Sequence, residues 1–138
     1  MSNRWQANKI GLINFWYYDP FGTRDRKMSN YLLEEEDGRD ERTGYLYLEF
    51  HKSENERYLT IGMGLRARRG KPLDKWYFTI NDGRRIGKDF FLYKETGEKI
   101  TLSKKELENR VADGGRVFDR QVDYMAYVNQ EIFGFETV

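Results

Sequence analysis

The chain has 138 residues and a mass of 16.6 kDa, the size of one compact domain, with 24 Lys and Arg against 23 Asp and Glu for a formal net charge of +1. Charged residues make up 34% and aromatics 16%, too many aromatics for a disordered chain and too even a charge for a global polyanion-binding surface. With no cysteine and a single histidine, His51, the composition excludes disulfide scaffolds, thiol catalysis and zinc ribbons, and argues against His-based metal sites and triads.

No apolar run is long enough to span a membrane, and Met1–Gln6 carries no apolar leader core, so the expectation is a single cytoplasmic α+β domain over residues 1–138. Asn8–Asp19 is rich in β-branched and aromatic residues and reads as a first strand, closed by the turn Asp19-Pro20-Phe21-Gly22. Met28, Tyr31, Leu32 and Leu33 recur at helical spacing and predict a short helix that frays into Glu34–Gly38.

An antiparallel meander follows. In Tyr45–His51, Leu46, Leu48 and Phe50 share one face, with Tyr45, Tyr47, Glu49 and His51 on the other. In Tyr58–Arg68, Leu59, Ile61, Met63, Leu65 and Ala67 alternate with Tyr58, Thr60, Gly62, Gly64, Arg66 and Arg68. Trp76, Phe78 and Ile80 alternate with Tyr77, Thr79 and Asn81 in a third strand. The alternation predicts a sheet with one buried face. Asn81-Asp82-Gly83 predicts a two-residue hairpin turn into a fourth strand over Phe90–Lys94, which ends at Thr96-Gly97.

Ser103 and Glu106 have capping-box spacing, with Leu102 available as a staple, and predict a helix to about Ala112 that Gly114-Gly115 breaks. Val122, Met125, Val128 and Ile132 then predict an amphipathic helix ending at Gly134. The outcome is an α+β fold, an antiparallel β meander with flanking helices.

Two glycine-bounded basic stretches imitate phosphate loops. Gly64–Lys71 has five residues between its glycines and Pro72 where a hydroxyl is needed, while Gly83–Lys88 has three and is followed by Asp89. Neither matches a Walker A loop, so no nucleotide-binding residues are expected. His51 with Glu49 and Glu54 lacks three evidently convergent ligands, so no metal site is expected, and no residues suggest themselves as catalytic. The charge distribution says more. Between Arg57 and Lys88 lie nine basic residues and two acids, a local net charge of +7, whereas Glu34–Glu41 holds six acids against Arg39. Basic residues at hairpin ends suit phosphate contacts, and equally suit a solvated sheet rim.

Particular strings resemble a known family. They are "RWQANKIGLINFWYYD" (Arg4–Asp19), "DPFGTRDRKMSNYLL" (Asp19–Leu33), "RDERTGYLYLEF" (Arg39–Phe50), "LTIGMGLRARRGKPLDKWYF" (Leu59–Phe78), "DGRRIGKDFFLYKETGEKI" (Asp82–Ile100) and "VNQEIFGFE" (Val128–Glu136). In order, they resemble the N-terminal head segment of the SMC-like ATPase subunit of Wadjet-type, condensin-related plasmid-defence systems. The resemblance implies part of the N-terminal lobe of an SMC/ABC-type P-loop NTPase head. In that family a strand and a Walker A loop with its helix separate "NFWYYD" from "DPFG"; here Tyr18-Asp19 runs straight into Pro20.

The intact family is a DNA-translocating ATPase that uses ATP and magnesium. This chain, without Walker A, Walker B or signature motifs, is expected to bind neither cofactor and to be inactive alone. The resemblance implies DNA contact by Arg24, Arg26 and Lys27, in a stretch like the basic loop after the Walker A helix, and by Arg66, Arg68 and Arg69 on the meander. Implied partners are DNA, held weakly and without sequence preference, and other subunits of a condensin-like complex, with no membrane. Loss of the covering segment is expected to expose Ile10, Leu12, Phe15, Leu46, Leu48, Ile61 and Met63, leading to self-association or to cover by the two C-terminal helices. A small protein-binding module using an exposed sheet edge, or a remnant without function, are the alternatives.

Overall fold

The period-two alternation of residues 41–68 resolves into two twelve-residue strands joined by a turn over residues 53–56. A computed structural model describes residues 5–13, 41–93 and 101–132. Within them β1 (Gln6–Ile13), β2 (Glu41–Lys52), β3 (Arg57–Arg68), β4 (Asp74–Ile80) and β5 (Gly115–Phe118) form one antiparallel sheet in the order β1-β2-β3-β4-β5. Helix α1 (Lys104–Val111) precedes β5. Helix α2 (Gln121–Tyr127) follows it and runs into a π-helical turn over Val128–Ile132.

Both faces of the sheet are packed, where the alternation predicted one. The first face carries Tyr45 and Tyr47 of β2 and Trp76, Phe78 and Ile80 of β4, all buried. Residues 82–93, which form no long strand, lie over it as a strap, contributing Ile86, Phe90 and Leu92, while α1 adds Leu107 and Val111. The second face carries Leu59, Leu65 and Ala67, with α2 and its continuation bringing Tyr124 and Val128 against Leu59.

The aromatic side of β2 is therefore the more deeply buried, and Leu46, Leu48 and Phe50 are only half-buried. Glycines on β1 and β3 explain this. Tyr45 faces Gly64, which faces Trp76 on β4, and Tyr47 faces Gly62, which faces Phe78. A β-carbon on Gly64 would lie within about a bond length or two of the Trp76 indole, at 2.2 Å, one on Gly62 would meet Phe78 at 2.5 Å, and one on Gly11 would meet the Tyr47 ring at 2.1 Å. Ring atoms lie over the glycine backbone, and Tyr45 stands edge-on to both Trp76 and Phe78 with centroids 5.9 Å apart in each pair.

Several expectations are corrected. Over residues 90–93, the described part of the expected Phe90–Lys94 strand, there are only isolated bridges, Ile86 with Phe90 and Tyr93 with Thr101. Asn81-Asp82-Gly83 is no two-residue hairpin, because β4 pairs with β5 instead: the Asn81 N–H donates to Gly114 O at 3.2 Å, and only Gly83 of the three has positive φ. The Gly114-Gly115 break leads directly into β5, whose Gly115 sits so close to Thr79 O that a β-carbon would meet it at 2.6 Å. On α2, Val122 and Met125 are exposed by 60% and 42%, so the buried stripe is Tyr124 and Val128.

Other readings hold. Ser103 caps α1 with the full capping box, its hydroxyl accepting from the Glu106 N–H and the Glu106 carboxylate accepting from the Ser103 N–H. Tyr45 Oη donates to Leu102 O at 2.7 Å, tying the staple position to the core. Ile10 and Leu12 are exposed by 72% and 60%, as expected for part of the apolar set, while Ile61 and Met63 are half-buried like Leu46 and Leu48. Residues 14–40 and 94–100, which include Phe15, the Asp19–Gly22 turn and the expected helix at Met28–Leu33, lie outside the described residues.

The glycine–aromatic interlock makes a clear prediction for urea unfolding. Gly64→Ala drives a methyl into the buried indole and should lower stability by about 2 kcal/mol. Gly70→Ala has open space around it but holds φ at 70°, so it should cost only about 1 kcal/mol of backbone strain.

Candidate nucleic-acid interface

The β3–β4 turn brings basic residues together at one end of the sheet. Arg66 and Arg68 are two residues apart on β3 and project to the same face. Asp74, the first residue of β4, is the register partner of Arg66. Its Oδ2 accepts from Arg66 Nε at 3.1 Å and Nη2 at 2.8 Å, and pairs with Arg68 Nη2 at 3.0 Å. Glu41 adds a longer pair to Arg66 at 3.7 Å. Arg69, Lys71 and Lys75 are exposed around the turn. Among the described residues this end thus holds six cations, with Arg42 of β2 across from Ala67, against the two carboxylates of Glu41 and Asp74.

Asp74 both neutralises and orders. Two long side chains that would otherwise sample many rotamers are held in one arrangement, with side chains still 39% and 35% exposed, so an outside anion can reach them without breaking the pairs. Of the six residues the sequence named for DNA contact, Arg66, Arg68 and Arg69 are therefore brought together. Arg24, Arg26 and Lys27 lie outside the described residues.

The imitation phosphate loops have other occupations. Gly64–Arg68 is strand, and Gly64 lies under the Trp76 ring. In the strap, the N–H of Arg84 donates to Asp82 Oδ1 at 3.1 Å and that of Arg85 to Asp89 Oδ2 at 2.7 Å. The Gly87 N–H donates to Phe90 O, and those of Lys88, Asp89 and Phe90 all donate to Arg85 O. A phosphate cradle needs a row of free N–H groups pointing outward, and here they are already used.

Sequence reasoning missed the strap's anchor. Glu49 is only 1% exposed. Arg85 grips it in a fork, with Nε to Oε2 at 3.1 Å and Nη2 to Oε1 at 2.9 Å, and Asn8 Nδ2 donates to Oε1 at 2.7 Å. Asn8 reaches it because β1 shifts register between Ala7 and Lys9, the kind of irregularity that re-aims a side chain. The Arg85 guanidinium also lies 4.1 Å from the centroid of Tyr58, which in turn stacks on His51 at 4.6 Å. Burial by itself would push the Glu49 carboxyl up, but the hydrogen bonds from Arg85 and Asn8 and the charges of Arg85 and Lys9 outweigh it and hold the group below its usual range. The available signal was a lone acid following Tyr45 and Tyr47 on an otherwise aromatic face, 36 residues before its cation.

Arg84 works beside it. Its Nη1 and Nη2 donate to Arg110 O at 2.9 Å and Val111 O at 2.6 Å, capping the end of α1, while its Nε bonds Asp82 at 2.6 Å. Two arginines that look like surface charge in the sequence are thus consumed by the fold. His51, Glu49 and Glu54 do not converge as metal ligands: Glu49 is taken by Arg85, and His51 Nε2 lies 3.5 Å from Glu56.

No protein-family model, curated protein or solved structure matches the chain.

The buried pair predicts an acid limb in the stability curve. Because the folded-state value of Glu49 is depressed, its contribution is complete above the ordinary glutamate value, ~4.3, and is lost as pH falls through the lowered one. Glu49→Gln should flatten that limb in urea unfolding followed from neutral to acid pH. Arg85→Met should cost about 3 kcal/mol near neutral pH, because it leaves a buried carboxylate without its cation.

Proposed function

We propose that this chain is a DNA-contacting lobe from the head of an SMC-like ATPase of the condensin-related plasmid-defence type. Two things support the reading: the ordered strings that resemble that family's N-terminal head segment, and the cations gathered at the β3–β4 end. The second carries it. Arg66 and Arg68, held side by side by Asp74, and exposed Arg69 and Lys71 offer a phosphate-sized set of donors on a rigid hairpin. The contact is to the sugar–phosphate backbone, weak and without base preference, and the chain works with other subunits of a condensin-like complex rather than alone. ATP and magnesium belong to the intact family's phosphate loop, which this chain does not carry.

Titration of labelled duplex DNA at low salt tests the DNA contact. Micromolar-range binding with a steep salt dependence is expected, and Arg69→Glu/Lys71→Glu should flatten the slope of log K against log salt by about 2. Binding unchanged by that variant but lost in Arg24→Glu/Arg26→Glu/Lys27→Glu would move the site to the stretch named by resemblance. No binding at low salt would favour a protein-binding module, for which exposed Ile10 and Leu12 on the end strand β1 are the specific observation.

A fluorescent ATP analogue with magnesium should show no saturable micromolar binding. Saturable binding removed by Lys71→Ala or Lys88→Ala would overturn this and assign the nucleotide to one of the imitation loops.

A further inference from the structure

The opposite end of the β2–β3 ladder carries a second set of cations, built differently. Lys52 and Arg57 are the last register pair of that ladder, so two like charges stand directly across from one another. Both reach the same ring: Lys52 Nζ lies 4.6 Å and Arg57 Cζ 5.8 Å from the Trp5 centroid. Arg57 is further fixed by donating to Asn81 Oδ1 at 3.1 Å. Farther along the same face Arg116 lies over Tyr127, 4.9 Å from its centroid, and Trp5 and Tyr127 border one apolar cluster around Leu59.

The neighbouring carboxylates are engaged elsewhere. Glu56 faces His51, Asp119 pairs with Lys104, and Asp123 pairs with Arg120 at 4.0 Å. Among the described residues no carboxylate pairs with Lys52, Arg57 or Arg116. Three cations are thus seated over two half-buried aromatic rings with no carboxylate among the described residues to complete them, and a cation over a ring at the surface is a weak contact that an anion readily exchanges.

We infer that this end of the sheet binds single-stranded nucleic acid, with Trp5 as a stacking platform for a base and Lys52 and Arg57 as contacts to the flanking phosphates. The ligand must offer anions and a flat apolar surface at alternating positions. Phosphates draw Lys52 and Arg57 off the indole, whose other side packs on the Leu59 cluster, and a base then takes the π face they leave. Bases inside a duplex are already stacked and cannot do this, so the site selects an unpaired strand. It lies the length of the β2–β3 ladder, about 35 Å at the usual strand rise, from the duplex contact proposed above and does not depend on it.

Fluorescence anisotropy of labelled oligo-dT with the full chain tests the site. Saturable, salt-dependent binding is expected. Trp5→Leu, which keeps apolar packing but removes the π face, should weaken it about tenfold with little change in salt slope. Lys52→Gln/Arg57→Gln should flatten the slope by about 1.4, two single-strand phosphate contacts. Trp5→Phe should recover most of the affinity, and this variant together with the double Gln variant separates loss of the site from loss of fold, checked by thermal melts. Arg69→Glu/Lys71→Glu should leave oligo-dT binding intact whatever it does to duplex binding. Unchanged affinity in Trp5→Leu, or displacement of oligo-dT by poly-glutamate at equal charge as readily as by unlabelled oligo-dT, would overturn the inference, the latter in favour of an acidic polypeptide partner.

Discussion

The structure rests on three glycines that have no room for a side chain. Gly11, Gly62 and Gly64 lie under Tyr47, Phe78 and Trp76, and each ring occupies the volume where a β-carbon would project. Large rings set over glycine backbone bury much apolar area on a thin sheet, but they leave that face dominated by aromatic groups that need cover. The cover is the strap over residues 82–93 together with α1, which place Ile86, Phe90, Leu92, Leu107 and Val111 against the rings. The strap has few ladder hydrogen bonds of its own, so side chains must hold it.

Arginines supply that hold. Arg85 joins the strap to the sheet through buried Glu49, and Arg84 joins it to the last carbonyls of α1. The Glu49–Arg85 pair is a specificity device more than a source of net stability, since desolvating both charges costs much of what their attraction returns. Its consequence is asymmetric: either partner alone in that place is expensive, so the strap has one seating. The same arrangement fills the strap's N–H groups with internal acceptors, turning a stretch that resembles a phosphate loop into a packed connection.

Charge on this surface is best understood by following the carboxylates. Asp74 is spent on ordering Arg66 and Arg68, Asp82 on Arg84, Asp119 on Lys104 and Asp123 on Arg120. Among the described residues two basic ends of unlike character then stand out. One is a hairpin on which Asp74 orders two arginines beside exposed cations, the end proposed to contact duplex phosphates. The other seats its cations on aromatic rings, the end inferred to take an unpaired strand. A net charge of +1 conceals both.

By itself the sequence determined what depends on neighbours in the chain. Period two produced β2, β3 and β4, and the spacing of Ser103 and Glu106 produced the start of α1, because strand alternation and capping are satisfied within a few residues. The basic β3–β4 turn was legible for the same reason, since Arg66 and Arg68 share a face by strand geometry alone. Tertiary structure decided the rest. Whether tyrosines or leucines of β2 went deepest depended on glycines in β1 and β3. That Gly115–Phe118, rather than the segment beginning at Phe90, pairs with β4 depended on which could approach Thr79 without a β-carbon in the way. The partner of Glu49 lay 36 residues downstream, and Trp5 met Lys52 and Arg57 only through the register of β1 on β2. Those contacts join residues far apart in sequence, and alternation, which reports only that a strand has two faces, carries no information about what lies against each.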